Sequence, residues 1–381
     1  WRRTAQFFFS GFQTHHTRNQ KAIDMHPKFR WTMLAASIAA LPAFAGPEGA
    51  VVRSGEAKIY QYGPRTDVNQ STDRAVIDWR SFNVGRDELV RFAVPSARSS
   101  TLNRVTGDQA STILGSIQSN GQVVLVNPNG ILIGSEARVD VGSLIATTAN
   151  IRDQDFMAAS LKFAEPGKPG ASIVNQGTIR ATAGDAGLVA LVAPSVRNDG
   201  VIQARLGKVV MASGDTFALD LYGDSLVSLA LSDANVGALT DVTGRTVKAL
   251  VEQSATGAID AAGGKIMLIT AGAARAVVDN VIKMGGIAVA DSVGTKNGEI
   301  VIAGRGGNVE VGGAIAARGG TAGTTGGVVE ILGERVLLTA PAIVEASGMA
   351  GGGQIAIGRE LSGGASIGGT LRADAVTVSP G

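Results

Sequence analysis

One tight turn between two apolar segments runs through Gln122-Val123-Val124-Leu125-Val126-Asn127-Pro128-Asn129-Gly130-Ile131-Leu132-Ile133-Gly134. Proline presets φ at the second turn position, and asparagine and glycine tolerate the left-handed dihedrals that follow. The flanking segments are rich in Val, Ile and Leu, and Val and Ile favour β-strands. A sharp corner between two continuous β-strands is typical of a chain that winds around a core.

Four further segments stand around this turn in a regular order. They are Val68–Gly85 and Leu102-Asn103-Arg104-Val105 upstream, Ile113-Leu114-Gly115 close to the turn, and Val139–Thr148 downstream. In this order and spacing, and over residues 50–180, the chain resembles the amino-terminal secretion domain of filamentous-haemagglutinin-like two-partner-secretion exoproteins. The segment Phe92–Ser96 departs from an Asn-Pro-containing motif of that family.

The resemblance implies a function as well as a fold. It implies a secreted exoprotein of a Gram-negative bacterium, exported through an outer-membrane transporter with periplasmic recognition domains and forming part of an adhesin or haemagglutinin. The candidate secretion-motif residues are Asn69, Gln70, Asn127, Pro128, Asn129, Gly130 and Ile131. Host-cell or surface glycans or proteins are further expected partners, through regions outside this chain.

The first 45 residues read as an export leader. Met25–Arg30 is a basic segment, Trp31–Leu41 is apolar, and Ala43-Phe44-Ala45 before Gly46 is a small-x-small cleavage site. The apolar part is far shorter than the roughly 20 residues that span a bilayer. We therefore predict a signal peptide at 25–45, cleaved between Ala45 and Gly46, and an upstream or non-native segment at 1–24.

Charge and cysteine content agree with export. Residues 1–45 hold six basic residues and one acidic residue, which leaves 28 basic and 31 acidic residues in the body of the chain. This mildly acidic body has no basic field to attract nucleic acid. The chain has no cysteine, as suits a passenger that crosses a pore unfolded, although chance would also explain it.

After residue 170 the chain becomes periodic. Short β segments carry isoleucine at 179, 202, 259, 287, 315 and 343; the last four are 28 residues apart, and the gap of 57 before them is close to two such steps. A second β segment follows each of these segments, at 188–191, 209–212, 266–269, 299–302, 328–331 and 354–357. Such a unit cannot bury its own apolar side, but stacked units bury a continuous core.

These repeats predict an all-β fold, a right-handed parallel β-helix whose coils each advance the axis by about 4.8 Å. Residues 46–62 are expected to form an amino-terminal cap over the exposed strand edges. Asp153–Gly170 and Leu219–Gly257 interrupt the period and are expected to leave the helix as hairpins or loops. We assign 46–300 to the secretion β-helix domain and 301–381 to continuing repeats of a truncated helix.

Catalytic chemistry is not indicated. The three histidines all lie in the leader, at positions 15, 16 and 26, so a Ser-His-Asp site in the body is excluded. Asp215, Asp220, Asp224, Asp233 and Asp241 match no ligand set, and we expect them to be solvated at the surface. We predict no enzyme activity, no metal and no cofactor.

Two interpretations of Asn127 and Asn129 stay open at this point. The side chains hydrogen-bond the backbone at a folding corner, or they contact the transporter directly. Two other functions also remain as alternatives, a β-helical polysaccharide-active enzyme and a self-assembling surface fibre.

Overall fold

A computed structural model describes residues 46–219, 226–230, 240–271, 278, 280–361 and 372–379. The predicted upstream segment and signal peptide, with Ala43 and Ala45, lie outside the described residues, and so do Asp220, Asp224 and Asp233. Gly46 is the first described residue, and its place after the cleavage site stays a prediction.

Strands dominate the described residues, in keeping with the β-branched and Gly-punctuated sequence. The strands are β1 Val51–Ser54, β2 Ala57–Tyr62, β3 Arg65–Gln70, β4 Arg74–Trp79, β5 Leu89–Ala93, β6 Ser100–Val105, β7 Ser111–Ile113, β8 Ser116–Ser119, β9 Gln122–Val126, β10 Ile131–Ile133, β11 Arg138–Val141, β12 Ser143–Thr147, β13 Leu161–Phe163, β14 Ser172–Asn175, β15 Thr178–Ala181, β16 Leu188–Ala193, β17 Ser195–Asn198, β18 Val201–Gln203, β19 Lys208–Ser213, β20 Thr216–Leu219, β21 Leu226–Ala230, β22 Ala249–Gln253, β23 Ala258–Asp260, β24 Lys265–Thr270, β25 Asn280–Met284, β26 Ile287–Val289, β27 Glu299–Val311, β28 Ala314–Ala316, β29 Val328–Leu338, β30 Ile343–Glu345, β31 Gln354–Ile357 and β32 Ala375–Val378. The helices are α1 Asp153–Met157 and a 3₁₀ turn at Gly184–Ala186.

The parallel strands form three faces of a β-helix. The first face stacks β4, β6, β9, β12, β16, β19, β24, the first halves of β27 and β29, and β31. The second face stacks β7, β10, β14, β17, β22, β25, the second halves of β27 and β29, and β32. The third face stacks β3, β5, β8, β11, β15, β18, β23, β26, β28 and β30.

The amino-terminal end of the helix is capped by antiparallel pairing. Strand β1 lies antiparallel to β4 on the first face, and β2 lies antiparallel to β3 on the third. The all-β parallel β-helix and its amino-terminal cap are thus confirmed. Antiparallel end strands interrupt the parallel stack, so a second helix cannot simply continue the coils.

The interior is built almost wholly from Val, Ile, Leu and Ala. Large aromatic side chains enter it mainly in the first coils, where Trp79 and Phe82 meet edge to face with ring centroids 5.6 Å apart. Aliphatic side chains that stack coil upon coil can fill so narrow an interior without voids.

An outer layer covers part of the first face. Strands β13, β20 and β21 form a separate antiparallel sheet, and α1 precedes β13. Under this layer lies a second apolar cluster that joins outward side chains such as Val124, Val126 and Ile145 to Phe156, Phe163 and Phe217. The expected extra-helical elements are confirmed, and the continuous apolar strands of this face are explained by burial on both sides.

The second excursion from the helix, predicted at Leu219–Gly257, is shorter than expected. Strand β22 pairs with β17 and β25 on the second face, and its five residues are buried. The prediction that Leu219–Gly257 stays outside the helix was therefore wrong for this strand, whose apolar side chains rejoin the core.

The uniform step of 28 residues was also wrong, and so was the reading of the 57-residue gap as two steps, because Ile202 lies directly opposite Ile259 in the next coil. In the third-face register Ile259 lies opposite Ala288, Ala288 opposite Ile315, and Ile315 opposite Val344, so the steps are 29, 27 and 29. A shift of one residue moves a strand side chain to the other face. Ile287 and Ile343 consequently point outward, while Ala288 and Ile315 fill the core.

Candidate functional site

The Asn127–Gly130 turn joins β9 to β10 at the corner between the first and second faces. The Gly130 N–H donates to the Asn127 carbonyl at 3.1 Å and closes the turn. The Asn127 Oδ1 accepts from the Asn129 N–H at 2.9 Å. Gly130 has φ +113°, a value that L side chains rarely adopt, so glycine is needed at this position.

Asn127 is fully buried and links three coils. Its Nδ2 donates to the Gln109 carbonyl at 3.0 Å and to the Ser111 Oγ at 2.9 Å, both in the preceding coil. Its backbone N–H donates to the Thr147 carbonyl of the following coil at 3.0 Å. Every polar group of the side chain is thus used inside the fold, which supports the folding-corner interpretation.

Asn129 is half-buried and lies beside Asn127. Its Nδ2 lies within hydrogen-bond distance of the Gly107 carbonyl at 3.0 Å, the Gln109 carbonyl at 3.2 Å and the Asn127 Oδ1 at 2.8 Å. Its Oδ1 is buried with no hydrogen-bond partner among protein atoms. An unmatched buried acceptor carries a free-energy cost, so this amide is less completely satisfied than that of Asn127.

Both excursions touch the turn from outside. The Lys168 N–H donates to the Pro128 carbonyl at 2.9 Å. The Val242 N–H donates to the Ser172 Oγ at 2.6 Å, and a Cβ on Gly130 would lie 2.9 Å from the Ser172 carbonyl oxygen. The turn is therefore enclosed, and Pro128 and Asn129 are its half-exposed members.

Asn69 and Gln70 lie at a different corner. Asn69 points outward on β3, whereas Gln70 is buried and accepts from the Thr101 Oγ1 at 2.6 Å. Thr101 pairs with Val123 near the start of β9, and Asn127 follows the end of that five-residue strand. Roughly 13 Å of strand thus separates the two parts of the predicted motif.

Sequence reasoning missed the roles of Asn103 and Arg104, although it noted the segment that holds them. Asn103 points inward, and its Oδ1 accepts from the Trp79 Nε1 at 3.0 Å. Arg104 points outward, where its Nε donates to Asp78 at 2.8 Å and its Nη2 donates to Asp153 at 2.7 Å. Burial alone would lower the pKa of Arg104, but the two carboxylates outweigh it and raise that pKa. The alternation of side chains along a strand predicts that Asn103 and Arg104 point to opposite faces. It does not predict their partners, which lie far away in the sequence.

We expect Arg104→Ala to lower the free energy of unfolding by about 2 kcal/mol, because two carboxylates lose a charged donor. Arg104→Lys should recover only part of that loss, since an ammonium cannot reproduce the guanidinium fork. Chemical denaturation followed by circular dichroism measures both changes. Arg91→Ala, at an exposed position on the third face, is the control and should be nearly neutral. Equal effects of Arg104→Ala and Arg91→Ala would contradict a stabilising role for the bonds from Arg104 to Asp78 and Asp153.

A second ion cluster pins the loop that precedes β22. Arg197 Nη2 donates to Asp241 at 2.8 Å, and Arg197 also pairs with Asp199. Burial would raise the pKa of Asp241, yet hydrogen bonds from Thr243 and Arg197 hold it below its usual value. Asp215 and Asp241 are buried, so the expectation that they are solvated was wrong. Within the described residues, no cluster of three or more His, Cys, Asp or Glu could hold a metal.

Amide side chains form a hydrogen-bonded ladder on the second face of this helix. The Asn175 Nδ2 donates to the Asn198 Oδ1 at 2.7 Å, and the Asn198 Nδ2 donates to the Gln253 Oε1 at 2.9 Å. These side chains follow one another on successive coils of the second face. Asn127 and Asn129 instead bond to each other and to the preceding coil.

Residues 43–317 match the family model described as the TPS secretion domain. Two curated relatives from Haemophilus influenzae are both named heme/hemopexin-binding protein. One is 35% identical over 206 residues, covering 52% of this chain and 22% of the relative. The other is 32% identical over 256 residues, covering 62% and 25%. The match therefore spans about a quarter of the length of these relatives.

Two solved structures share the architecture. The HMW1 secretion domain from Haemophilus influenzae superposes with a TM-score of 0.66 at 27% identity, covering 88% of this chain and 82% of that one. The filamentous hemagglutinin secretion domain has a TM-score of 0.52 at 14% identity, covering 87% and 100%, and shows the fold alone. In the described part of this chain, the helices are too short and too polar to cross a membrane.

Proposed function

Because the chain belongs to the family of TPS secretion domains, which exoproteins of Gram-negative bacteria use for export across the outer membrane, we propose that residues 46–300 direct this export. The proposed partner is a cognate outer-membrane transporter with periplasmic recognition domains. The family match over residues 43–317 is the observation that carries the proposal. The domain limits at 46, 300 and 301 are part of the proposal; β27 runs across residues 300 and 301 without a break.

We propose that Asn69, Gln70 and Asn127 to Ile131 serve export mainly by shaping the first coils. Asn127 and Gln70 have their side-chain hydrogen bonds inside the fold. The exposed Asn69 and the half-exposed Pro128 and Asn129 are left as the members that a transporter can touch. In this proposal Asn127 and Gln70 stabilise the fold, and their neighbours Asn69, Pro128 and Asn129 are available to contact the transporter.

The stacked architecture supplies a mechanism for export. Each parallel strand pairs with the coil before it and the coil after it, as β12 does with β9 and β16. A chain that emerges unfolded can therefore add one coil at a time, and each coil gains its stabilisation from its neighbour. Folding on the outer side then draws the chain forward without a nucleotide.

The longer exoprotein is proposed to be an adhesin or haemagglutinin that meets host-cell or surface glycans or proteins outside this chain. The relatives' names add haem or hemopexin binding as a second candidate. Because the match covers only 22% and 25% of these relatives, we propose that such binding belongs to regions outside this chain.

We propose no catalytic role for the described residues. The buried carboxylate of Asp241 is committed to Arg197 and Thr243, so it is poorly placed to protonate a sugar. Turnover of a polysaccharide that is abolished by substituting one carboxylate would favour the enzyme alternative. Concentration-dependent filaments of residues 46–381 would favour the fibre.

The export proposal is tested by expressing the chain in a Gram-negative host with and without its transporter. We expect the chain in the medium only when the transporter is present, and a passenger fused after residue 317 to follow it. The same passenger behind a signal peptide alone is the control and should stay in the periplasm. Equal release with and without the transporter would refute the proposal.

A further inference from the structure

A cavity of about 360 Å³ lies where the first described residues meet the amino-terminal cap. Its walls are the segment Gly46–Glu48, the hairpin of β2 and β3, and the start of β5 with Glu88 immediately before it. Within the described residues, this lining holds two carboxylates, those of Glu48 and Glu88, and no cationic side chain. A cavity with this charge attracts a positive group.

Glu88 is the carboxylate of this cavity that lacks a cation. The residue is only 7% exposed, and its Oε2 accepts from the Gly85 N–H at 2.6 Å. Among the described residues Glu88 forms no ion pair, whereas Glu48 is exposed and pairs with Arg80 at 2.5 Å. A buried carboxylate without a counter-charge is costly, so a cation beside Glu88 would stabilise the cap.

Gly46 lies against this carboxylate. A Cβ on Gly46 would lie 3.8 Å from the Glu88 Oε2 and 3.8 Å from the Thr66 Oγ1. A backbone nitrogen is about 2.5 Å from a Cβ on the same residue, so the Gly46 nitrogen lies within roughly 6.3 Å of the Glu88 Oε2. Opposite charges at such a separation already attract each other.

The residues that follow Gly46 hold it in this place. The Gln61 Nε2 donates to the Pro47 carbonyl at 2.6 Å. The Glu48 N–H donates to the Ser81 carbonyl at 2.9 Å. Proline at position 47 also fixes its own φ. The segment is therefore docked on the cap from Pro47 onward, and Gly46 has little freedom to leave the cavity.

We propose that removal of the signal peptide creates the missing cation, because the new α-ammonium group of Gly46 pairs with the Glu88 carboxylate. In the uncleaved chain the Gly46 nitrogen is a neutral amide. Hydrolysis of the Ala45–Gly46 peptide bond consumes one water and leaves a carboxylate on Ala45 and an ammonium on Gly46. The freed nitrogen can turn about the Cα–C bond of Gly46 toward Glu88, with the Thr66 hydroxyl as a second acceptor. Charge-assisted hydrogen bonds of this kind are the strong ones.

The ion pair links processing of the chain to the stability of its cap. It exists only in the cleaved chain, and only when the cap and the start of β5 have folded together. The cleaved chain therefore has a more stable first coil than its precursor. This inference rests on the predicted cleavage before Gly46 and not on the transporter, so it and the export proposal can fail separately.

Chemical denaturation of four chains tests the ion pair. Two chains begin at Gly46, and two begin at Ala43, which makes the Gly46 nitrogen an amide and displaces the free amine by up to roughly 10 Å. Each is made with Glu88 and with Glu88→Gln. We expect Glu88→Gln to raise the unfolding equilibrium constant by roughly tenfold in the chain that begins at Gly46, and to leave it unchanged or lower it in the longer chain. An equal effect in both chains overturns the proposal.

The reactivity of the amine gives a second measurement, which a general loss of stability does not move. The folded chain that begins at Gly46 is treated briefly with acetic anhydride at neutral pH, and mass spectrometry follows acetylation of its α-amine. An amine that a carboxylate holds as ammonium is a poor nucleophile, so we expect acetylation roughly tenfold slower than in the Glu88→Gln variant. Glu345→Gln, on the last strand of the third face, is the control and should react as slowly as the parent. Equal rates with and without Glu88 overturn the proposal.

The amino terminus of the processed protein tests the premise. The cleaved chain can be taken from the periplasm of a host without the transporter, so this measurement does not depend on export. We expect amino-terminal sequencing to give Gly46 as the first residue. Any other first residue overturns the proposal.

Discussion

Asn127→Ala is expected to abolish most of the export, so that little protein reaches the medium, and to lower the free energy of unfolding by about 3 kcal/mol. The substitution leaves the Gln109 carbonyl and the Ser111 Oγ without the Asn127 Nδ2 as donor, and the Asn129 N–H without its acceptor. All of these groups lie in or beside a corner that both excursions cover. Chemical denaturation measures the stability, and immunoblotting of medium and cells measures export.

Asn129→Ala is the matched variant that separates the two roles of the turn. Asn129 is half-exposed, and its backbone N–H keeps the bond to the Asn127 Oδ1, so we expect a loss of only about 1 kcal/mol. If the turn acts by shaping the coil, export follows stability and Asn129→Ala is exported nearly normally. Normal stability of Asn129→Ala together with lost export would instead assign a transporter contact to this residue.

Ile259→Ala should lower the free energy of unfolding by about 3 kcal/mol, whereas Ile287→Ala should change it by less than about 0.5 kcal/mol. The two residues occupy the same place in the sequence repeat, but Ile259 is 1% exposed and Ile287 is 50% exposed. The first substitution leaves a cavity in the core; the second removes methyl groups that water already reaches. Chemical denaturation of both variants measures the difference.

Adjacent residues provide the control for this register. Ala288 is fully buried beside Ile287, so Ala288→Asp should prevent stable folding of its coil while Ile287→Asp is tolerated. If coils were uniformly 28 residues long, Ile287 would point inward and the outcomes would be reversed. A severe effect of Ile287→Asp would therefore disprove the observed pairing.

Local patterns predicted what local chemistry controls. Pro128 and Gly130 predict a corner because they constrain or free the backbone at their own positions, and the continuous apolar run of β9 predicts a buried strand. Repeated Gly and β-branched residues predicted stacked coils and the excursions between them. The sequence repeat did not predict where the second excursion ends. Strand β22 is identified as part of the helix only by its pairing with β17 and β25.

The sequence by itself predicted an exported chain without cysteine, whose short β-strands wind into stacked coils with a sharp corner at Asn127–Gly130. Only the tertiary structure decided which isoleucines face the core, because the number of residues that each corner takes depends on the coil stacked beside it. It also decided that Arg104 meets Asp153, 49 residues away along the chain. Contacts between distant residues come from the closure of coils and the docking of the outer layer, which no local period encodes.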